Sequence, residues 1–435
     1  MRVRSLCALI VLSAGALAPL ACTSILGDYA IGSAGDAAVA PGEAAVDEAT
    51  LPDAADPCPG TQVRCNGTCR DTTNDMDNCG PSCKICTAGA HASRGCAAGA
   101  CTAPCDVGFT ACGSPAACVD LTNDPLHCRT CEHSCQGGRC TASTCQPVLL
   151  VAAADTGQVN DLASDGTVVV WADGRNNSVN QVSTPGGAKI VLSSASNPRN
   201  VAIRGTKVDW MEFNISTGTT KRGRAVAGSA NSGSVLTSFT GVSNGLVSNT
   251  AGTQVFTCRM LAATSFDLYS CDDTGTCTSS IVVTSSKAGF SLALDPNDSY
   301  AVFSDITNAK IVMFKLSNSV VSDVTGQDSA FWVASDTSNA YWANNGTSPT
   351  PIMSAALGST TATAILQDAT ATVDGIATDG TNVYFVIAGS IRYVPVAGAS
   401  TAVTLTQVTS GGHLKYESRA LYYTETNGIY RVATP

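Results

Sequence analysis

The sequence contains few charged residues. Lysine, arginine, aspartate and glutamate together make up 13% of the 435 residues, about half the share that is usual in globular proteins. Exposed helices are built largely from such residues, so we expect little helix outside the N-terminal leader. The formal net charge of −10 excludes the basic surface that a nucleic-acid-binding protein needs.

Recognisable catalytic motifs are also missing. There is no Gly-x-Ser-x-Gly, no His-Glu-x-x-His and no glycine-rich phosphate loop followed by lysine. Only four histidines occur, and His413 is the only one in the C-terminal two thirds of the chain. We therefore expect His413 to be structural, and the sequence predicts no catalytic residue, no cofactor and no bound metal.

Long apolar runs are absent apart from a short one at residues 6–20, which follows two arginines. It is too short for a membrane-spanning helix and is typical of an export signal, predicted over residues 1–21. Leu20-Ala21-Cys22 resembles the end of a bacterial lipoprotein signal. That resemblance implies a lipid on Cys22, which would attach the protein stably to a membrane. The alternative is ordinary cleavage, which would release a secreted protein.

Residues 22–57 form the second predicted segment, a lipid anchor followed by a linker. From Thr23 to Pro57 it contains seven acidic residues and no basic one, among alanines, glycines and prolines. Such a composition cannot bury a core, so this segment should be a disordered tether.

Cysteine is the abundant residue, because sixteen of the 21 cysteines lie between Cys58 and Cys145. Phe109 is the only aromatic residue in that stretch, so disulfides rather than a core must stabilise a module predicted at residues 58–146. The module is duplicated: each half contains a cysteine, an aspartate two residues later, an Asn-Asp pair and another cysteine. This pattern resembles the stigma-specific cysteine-rich domain family, which implies no catalytic chemistry. Up to eight bridges are possible, and the connectivity stays open.

Two metal hypotheses compete with this interpretation. The Cys-x-x-Cys pairs that begin at Cys83 and Cys128 have zinc-ligand spacing, although an oxidising compartment favours disulfides. Asp71, Asn74, Asp75 and Asp77 offer oxygen ligands for calcium. The alternative for these four is a loop that bonds to its own backbone.

Residues 147–435 carry a repeat of roughly forty residues, in which an apolar strand, a turn and an aromatic-bearing strand are followed by two further strands. Such a period is the signature of a β-propeller. We therefore predict an all-β fold with seven blades, or six if one weak copy is irregular. The aromatic residues recur at intervals of 38 to 47 residues, at Trp171, Trp210, Phe256, Phe303, Trp342, Phe385 and Tyr423.

Five of these aromatics are followed two residues later by an acid or an amide, as in Trp171-Ala-Asp173. This ending resembles the YWTD and NHL propeller repeats, in which that position implies a role in tying strands and blades together. Phe256 and Phe385 depart from the pattern. The last repeat has only three predicted strands, and residues 148–153 form an unmatched strand that should close the ring.

Three cysteines lie within the predicted propeller. Cys271 and Cys277 should form a disulfide across a hairpin-like loop on the third blade. Cys258 is then left unpaired, so it is either buried in its strand or competes for one of the other two.

Two classes of function remain. The favoured one is a non-catalytic binding scaffold on the cell surface or outer membrane, held to the membrane by its lipid, with an unknown protein or glycan as its partner. The alternative is a metal-dependent propeller hydrolase of the lactonase or senescence-marker type. That resemblance would imply acid and amide ligands around a divalent metal in the central channel.

Overall fold

The structure is a computed structural model that describes residues 58–435 except 185, 263–264, 284–287, 348, 370, 410–411 and 427. The predicted signal, the lipidation site Cys22 and the tether lie outside the described residues. None of the helices in the described ranges is long and apolar enough to cross a membrane.

Four short antiparallel hairpins form the cysteine module. Their strands are β1 (Val63–Cys65) with β2 (Thr68–Arg70), β3 (Gly95–Ala97) with β4 (Ala100–Thr102), β5 (Thr110–Cys112) with β6 (Ala117–Val119), and β7 (Cys140–Thr141) with β8 (Thr144–Cys145).

Disulfides repeat between the two halves of the module, as its duplicated sequence suggests. They join Cys65–Cys83, Cys79–Cys96 and Cys86–Cys101 in the first half, and Cys112–Cys131, Cys128–Cys140 and Cys135–Cys145 in the second. Cys105 pairs with Cys118, and both Cys58 and Cys69 are also disulfide-bonded. So many bridges indicate an extracellular or exported protein. Because both Cys-x-x-Cys pairs are consumed in disulfides, neither offers thiolates to zinc.

The Asp-rich loop of the first half bonds to itself. Asp71 accepts hydrogen bonds from the Thr73 amide at 3.0 Å and from the Thr73 hydroxyl. Asp75 accepts one from the amide of Asp77 at 2.9 Å and one from the side chain of Asn78 at 3.0 Å. These are the local bonds of Asx turns, which is the alternative to a calcium site.

From Val148 onwards the chain forms a propeller. It enters through β9 (Val148–Ala152) and a short helix, α1 (Ala153–Thr156). Blade 1 contains β10 (Val159–Ser164), β11 (Val168–Asp173), β12 (Ser178–Ser183) and β13 (Ile190–Ser194). Blade 2 contains β14 (Pro198–Arg204), β15 (Lys207–Asn214), β16 (Thr219–Val226) and β17 (Ser234–Thr240). Blade 3 contains β18 (Val242–Ser248), β19 (Gln254–Ala262), β20 (Ser265–Asp272) and β21 (Cys277–Val283).

The remaining blades have the same four-stranded antiparallel form. Blade 4 contains β22 (Ala288–Leu294), β23 (Tyr300–Asp305), β24 (Lys310–Lys315) and β25 (Val320–Thr325). Blade 5 contains β26 (Val333–Ser335), β27 (Asn339–Ala343), β28 (Thr350–Ala356) and β29 (Thr363–Ala369). Blade 6 contains β30 (Val373–Thr378), β31 (Asn382–Ile387), β32 (Ser390–Pro395) and β33 (Val403–Gln407). Blade 7 contains β34 (Leu414–Glu417), β35 (Ala420–Glu425), β36 (Gly428–Ala433) and then β9. The seven-bladed prediction is confirmed, and the six-bladed alternative is wrong.

The repeated aromatics occupy the same position in every blade. Each lies on the second strand of its blade, directly opposite an aliphatic residue of the first strand, as Trp171 lies opposite Leu162 and Trp210 opposite Val201. All seven aromatics are buried. The repeat is therefore a packing repeat, in which one large ring fills the space between adjacent sheets.

Closure of the ring is also as predicted. β9 pairs with β36, so that Val151 faces Ile429 and Leu149 faces Tyr430. Strand β9 thereby becomes the outer strand of blade 7, and each of the seven described blades has four strands.

The second half of the cysteine module packs against this closing blade. Ala433 lies in a buried cluster with four module cysteines. The two imidazole nitrogens of His133 lie 2.6 Å from the Cys128 carbonyl oxygen and 2.7 Å from the Thr434 carbonyl oxygen. Arg431 donates to the carbonyl of Gln136. The module is thus fixed beside the turn between β34 and β35, where the inner strand of blade 7 ends.

A substitution in the closing strand β9 tests how much this strand contributes to the stability of the propeller. Leu150 is 6% exposed, whereas the adjacent Leu149 is 48% exposed. We expect Leu150→Ala to lower the free energy of unfolding by about 2–4 kcal/mol, because it leaves a cavity between blades 7 and 1. Leu149→Ala on the same strand is the matched control and should cost clearly less. Equal losses in urea unfolding of the oxidised protein would contradict this account of closure.

Candidate functional site

The first strands of the blades enclose a central channel. Each first strand contacts the next, and β34 contacts β10, so that these inner strands form a closed ring. Two cavities occupy the channel. The channel mouth, about 370 Å³, lies where the inner strands begin, and the channel base, about 280 Å³, lies where they end. The mouth falls within the size range of small-molecule sites, roughly 300–1,000 Å³.

The channel mouth is lined mainly by polar residues. They are Gln158, Asn160, Asp161, Asn197, Arg199, Asn200, Ser243, Asn244, Ser291, His413 and Lys415, with Leu246, Leu292, Trp332 and two glycines completing the wall. Side-chain amides outnumber every other polar group, and the mouth holds one carboxylate. The lining therefore offers both donors and acceptors, without a strong charge of one sign.

Irregular strand starts build this lining. The register of the inner strand shifts at Asn160 in blade 1 and at Arg199 in blade 2, each of which is one extra residue against its partner strand. In blade 3 the two residues Gly245 and Leu246 lie opposite one residue of the partner strand, and blade 6 has the extra residue Asp374. An extra residue bends a strand and re-aims its side chain. These bulges turn polar side chains into the end of the channel.

Some of the polar groups have structural partners. The side chain of Asn160 donates to the carbonyl of Pro198 at 2.7 Å, which joins blades 1 and 2. The Asp161 carboxylate accepts from the amide of Leu162 at 2.9 Å and from the amide of Val201 at 3.2 Å. Both side chains therefore hold the first two inner strands together.

One acceptor of the mouth has no partner among the described residues. It is the buried Oδ1 atom of Asn200, whereas the side chain of Asn244 in the same lining is partly exposed. The guanidinium of Arg199 lies 5.4 Å from the centroid of the Phe213 ring. A buried polar atom left without a hydrogen bond costs about 1–3 kcal/mol. Asn200 therefore presents to the mouth an acceptor that no described residue satisfies.

His413 lies between the two cavities and contributes to the wall of both. Its Nδ1 is 3.5 Å from Oδ1 of Asp161, and its ring meets the indole of Trp332 edge-on with centroids 5.9 Å apart. Burial lowers the pKa of His413, and Lys415 adds to this, while Asp161 opposes both. The imidazole is therefore held in its neutral form.

The two serines of the mouth are not arranged as nucleophiles. The hydroxyl of Ser243 is hydrogen-bonded to that of Thr257, and the hydroxyl of Ser291 accepts from the amide of Val333 at 2.7 Å. Among the described residues, the clusters of three or more His, Cys, Asp or Glu ligand atoms are two groups of disulfide-bonded cysteines. The single carboxylate of the mouth, already bonded to two amides, is a poor basis for a divalent metal site.

The channel base has a different lining. Its polar groups include Ser164, Arg204, Thr378 and Glu417, and the Oγ atom of Ser335 is buried there without a hydrogen bond. The mouth and the base share Trp332, His413 and Lys415 in their walls, but the polar groups named here line the base and not the mouth.

The cysteines predicted in the propeller lie on blade 3, away from the mouth. Cys271 and Cys277 face each other on β20 and β21 and form a disulfide. Cys258 is a free, buried thiol, and burial raises its pKa. Of the two predicted alternatives, Cys258 is therefore the buried strand residue, and it does not compete for a disulfide.

The aromatic-x-acid endings hold loops. Asp173 accepts from the amides of Gln158 at 3.1 Å and Asn176 at 2.9 Å. Glu212 accepts from the indole of Trp210 at 2.9 Å and from the amide of Ser196 at 3.0 Å. These contacts fit the strand-tying role that the YWTD and NHL resemblance implies.

The sequence did not single out Asp161 or Asn200, and it predicted His413 only as a structural residue. Asp161, Asn200 and His413 each immediately precede the aliphatic residue that faces the blade's aromatic, and they lie on three consecutive blades of the ring. The equivalent position holds Leu246, Trp332 and Gly375 in blades 3, 5 and 6, so the repeat itself gave no signal for a polar site.

Comparisons with known proteins agree on the fold alone. No protein-family model and no curated protein matches the chain. Among solved structures, Kuenenia stuttgartiensis hydrazine synthase is 8% identical with a TM-score of 0.51, over 64% of this chain and 96% of that one. The WD40 β-propeller domain of Doa1 is 11% identical with a TM-score of 0.49, over 66% and 96%. The nidogen/laminin complex is 15% identical with a TM-score of 0.39, over 48% and 79%.

The neutral state of His413 predicts a pH dependence of stability. Since its native pKa is lowered, the unfolded chain binds this proton first, and stability falls as the pH drops below about 6.5. We expect His413→Gln to make the decline in the free energy of unfolding between pH 7.5 and pH 5.5 shallower. His91→Gln, at an exposed histidine of the cysteine module, is the control. An unchanged slope in the His413 variant would contradict the assignment.

Proposed function

We propose that the protein is an exported binding module whose propeller recognises a polar ligand at the channel mouth without converting it. Partners are held by the polar lining of the mouth, while the cysteine module is a stapled support for the closing blade. Its disulfides support export, and a lipid on Cys22 would keep the binding module at a cell surface or outer membrane.

The unpartnered amide of Asn200 is the observation that carries this proposal. Native structures rarely bury an acceptor without a donor, and the exceptions tend to have a functional reason. Here the acceptor lies in a cavity of ligand size, whose lining also includes the side chain of Asn244. A ligand that donates to Asn200 would recover the free energy that the empty site loses.

The arrangement supports binding better than catalysis. A general base needs a reacting group within hydrogen-bond reach, and the hydroxyls of the two serines in the lining, Ser243 and Ser291, are bonded to Thr257 and Val333. The mixed donors and acceptors instead suit recognition of a neutral or zwitterionic polar molecule.

The metal-dependent hydrolase is the second candidate, and the pairing of His413 with Asp161 is the observation that favours it. Thermal unfolding in EDTA tests it, since a metal bound only to the native state raises the midpoint. We expect no change in the midpoint. A loss of several degrees that one divalent metal restores would favour the hydrolase.

The binding proposal makes a prediction about the ligand-free protein. Replacing Asn200 with leucine removes an unpaired polar atom and fills similar volume, so Asn200→Leu should match or exceed the wild type in melting temperature. The same variant should lose the stabilisation that a panel of monosaccharides, disaccharides, amino acids and nucleosides gives the wild type in thermal-shift measurements.

Ser335→Ala is the matched control, because it also removes an unpartnered buried polar atom, but at the channel base. It should leave every ligand-induced shift intact. A large drop in the melting temperature of Asn200→Leu, or shifts that depend on Ser335 and not on Asn200, would make the channel-mouth proposal wrong.

A further inference from the structure

We propose that the ligand of the channel mouth is a carbohydrate chain that lies across the indole of Trp332. This inference rests on the proposed function, and it names the chemical class that the site takes. It follows from a third cavity that adjoins the mouth, from the polar lining of these two cavities and from Trp332, which lies between them.

A third cavity, of about 380 Å³, adjoins the mouth and shares Trp332 with it. Its wall is formed by the loops that lead into the inner strands of blades 5, 6 and 7, with Phe331, Asn345 and Asp374 among its residues. We call it the side cavity. Two cavities of ligand size on either side of one ring make an elongated site, which suits a ligand built of several similar units.

The side cavity is built before any ligand arrives. The side chain of Asn345 donates to the carbonyl of Val373 at 3.0 Å and accepts from the amide of the same residue at 2.9 Å. These two hydrogen bonds join blades 5 and 6 and fix the floor of the cavity. A preformed site avoids much of the ordering cost of binding.

Trp332 is a rigid platform. It packs on the buried cluster between blades 5 and 6, and His413 meets it edge-on. The ring is only partly buried, so it has surface left at the boundary of the two cavities. Aromatic rings held in this way offer a flat apolar surface to the C–H face of a sugar ring, while polar groups at their edge bind the hydroxyls.

The polar groups match hydroxyls better than they match other ligands. A hydroxyl both donates and accepts, as do the amides of Asn200 and Asn244. The charges of the two cavities have both signs, Asp161 and Asp374 against Arg199 and Lys415. Neither a polyanion nor a polycation fits such a lining.

A peptide is the less suitable macromolecule. Peptide recognition usually requires apolar anchor residues or pairing with a free strand edge. None of the large apolar side chains that are exposed in the described chain lines the mouth or the side cavity.

An array of defined neutral and acidic oligosaccharides of one to six units, probed with the oxidised full-length protein, tests the inference. We expect binding that strengthens from one unit to three or four, as a chain comes to span both cavities. Trp332→Ala should weaken it on the order of tenfold to a hundredfold, as for an aromatic hot spot. Trp332→Phe should retain most of the affinity.

Two further variants keep the result interpretable if Trp332→Ala folds poorly. Asn200→Leu should also weaken binding, and Glu417→Gln at the channel base should not. A silent array, or glycan binding indifferent to both Trp332 and Asn200, would overturn the carbohydrate assignment. Synthetic peptides that bind in a Trp332-dependent way would overturn it too. If small polar compounds still bind through Asn200 while the array stays silent, the proposed function stands and only the carbohydrate class is wrong.

Discussion

The pairing of β9 with β36 is the contact on which the rest of the structure depends. Seven blades enclose a channel only if the last sheet meets the first, and here one strand from the start of the propeller completes the sheet that its end begins. Without that strand the ring would end in an unprotected sheet edge, and the inner strands would lose the geometry that shapes the channel. The disulfide-stapled module packs next to the same blade, through Ala433, His133 and Arg431.

Closure also explains why the two ends of the channel can differ. The inner strands all run in the same direction, so every bulge at a strand start falls at the mouth. The aromatic repeat fixes the core two residues beyond the bulges of blades 1 and 2, at Leu162 and Val201. Residues before that level are free of the packing repeat, and there the chain can place amides and a histidine. The polar mouth therefore departs from the packing repeat, and the regular aromatic core beside it makes that departure possible.

The sequence was sufficient for the architecture and insufficient for the site, for physical reasons. Trp171 and its equivalents recur because each blade needs one large ring, and such packing leaves a period that one sequence displays. The closing strand could be inferred because the sequence shows one strand without a blade and one blade with only three strands, and pairing the two completes the ring. Disulfide connectivity could not, since sixteen similar thiols permit many pairings. The mouth could not either, because a bulge such as that at Arg199 is visible only once the strand is paired.

Three asparagines show most clearly why residue identity alone does not reveal function. Asn160 and Asn345 occupy the same end of the propeller as Asn200, and both bridge neighbouring blades through backbone groups. Their amides stabilise the fold, so their presence needs no ligand. Asn200 lies among similar surroundings yet leaves its oxygen without a donor. No described residue donates to that oxygen, which is why we propose that a ligand does.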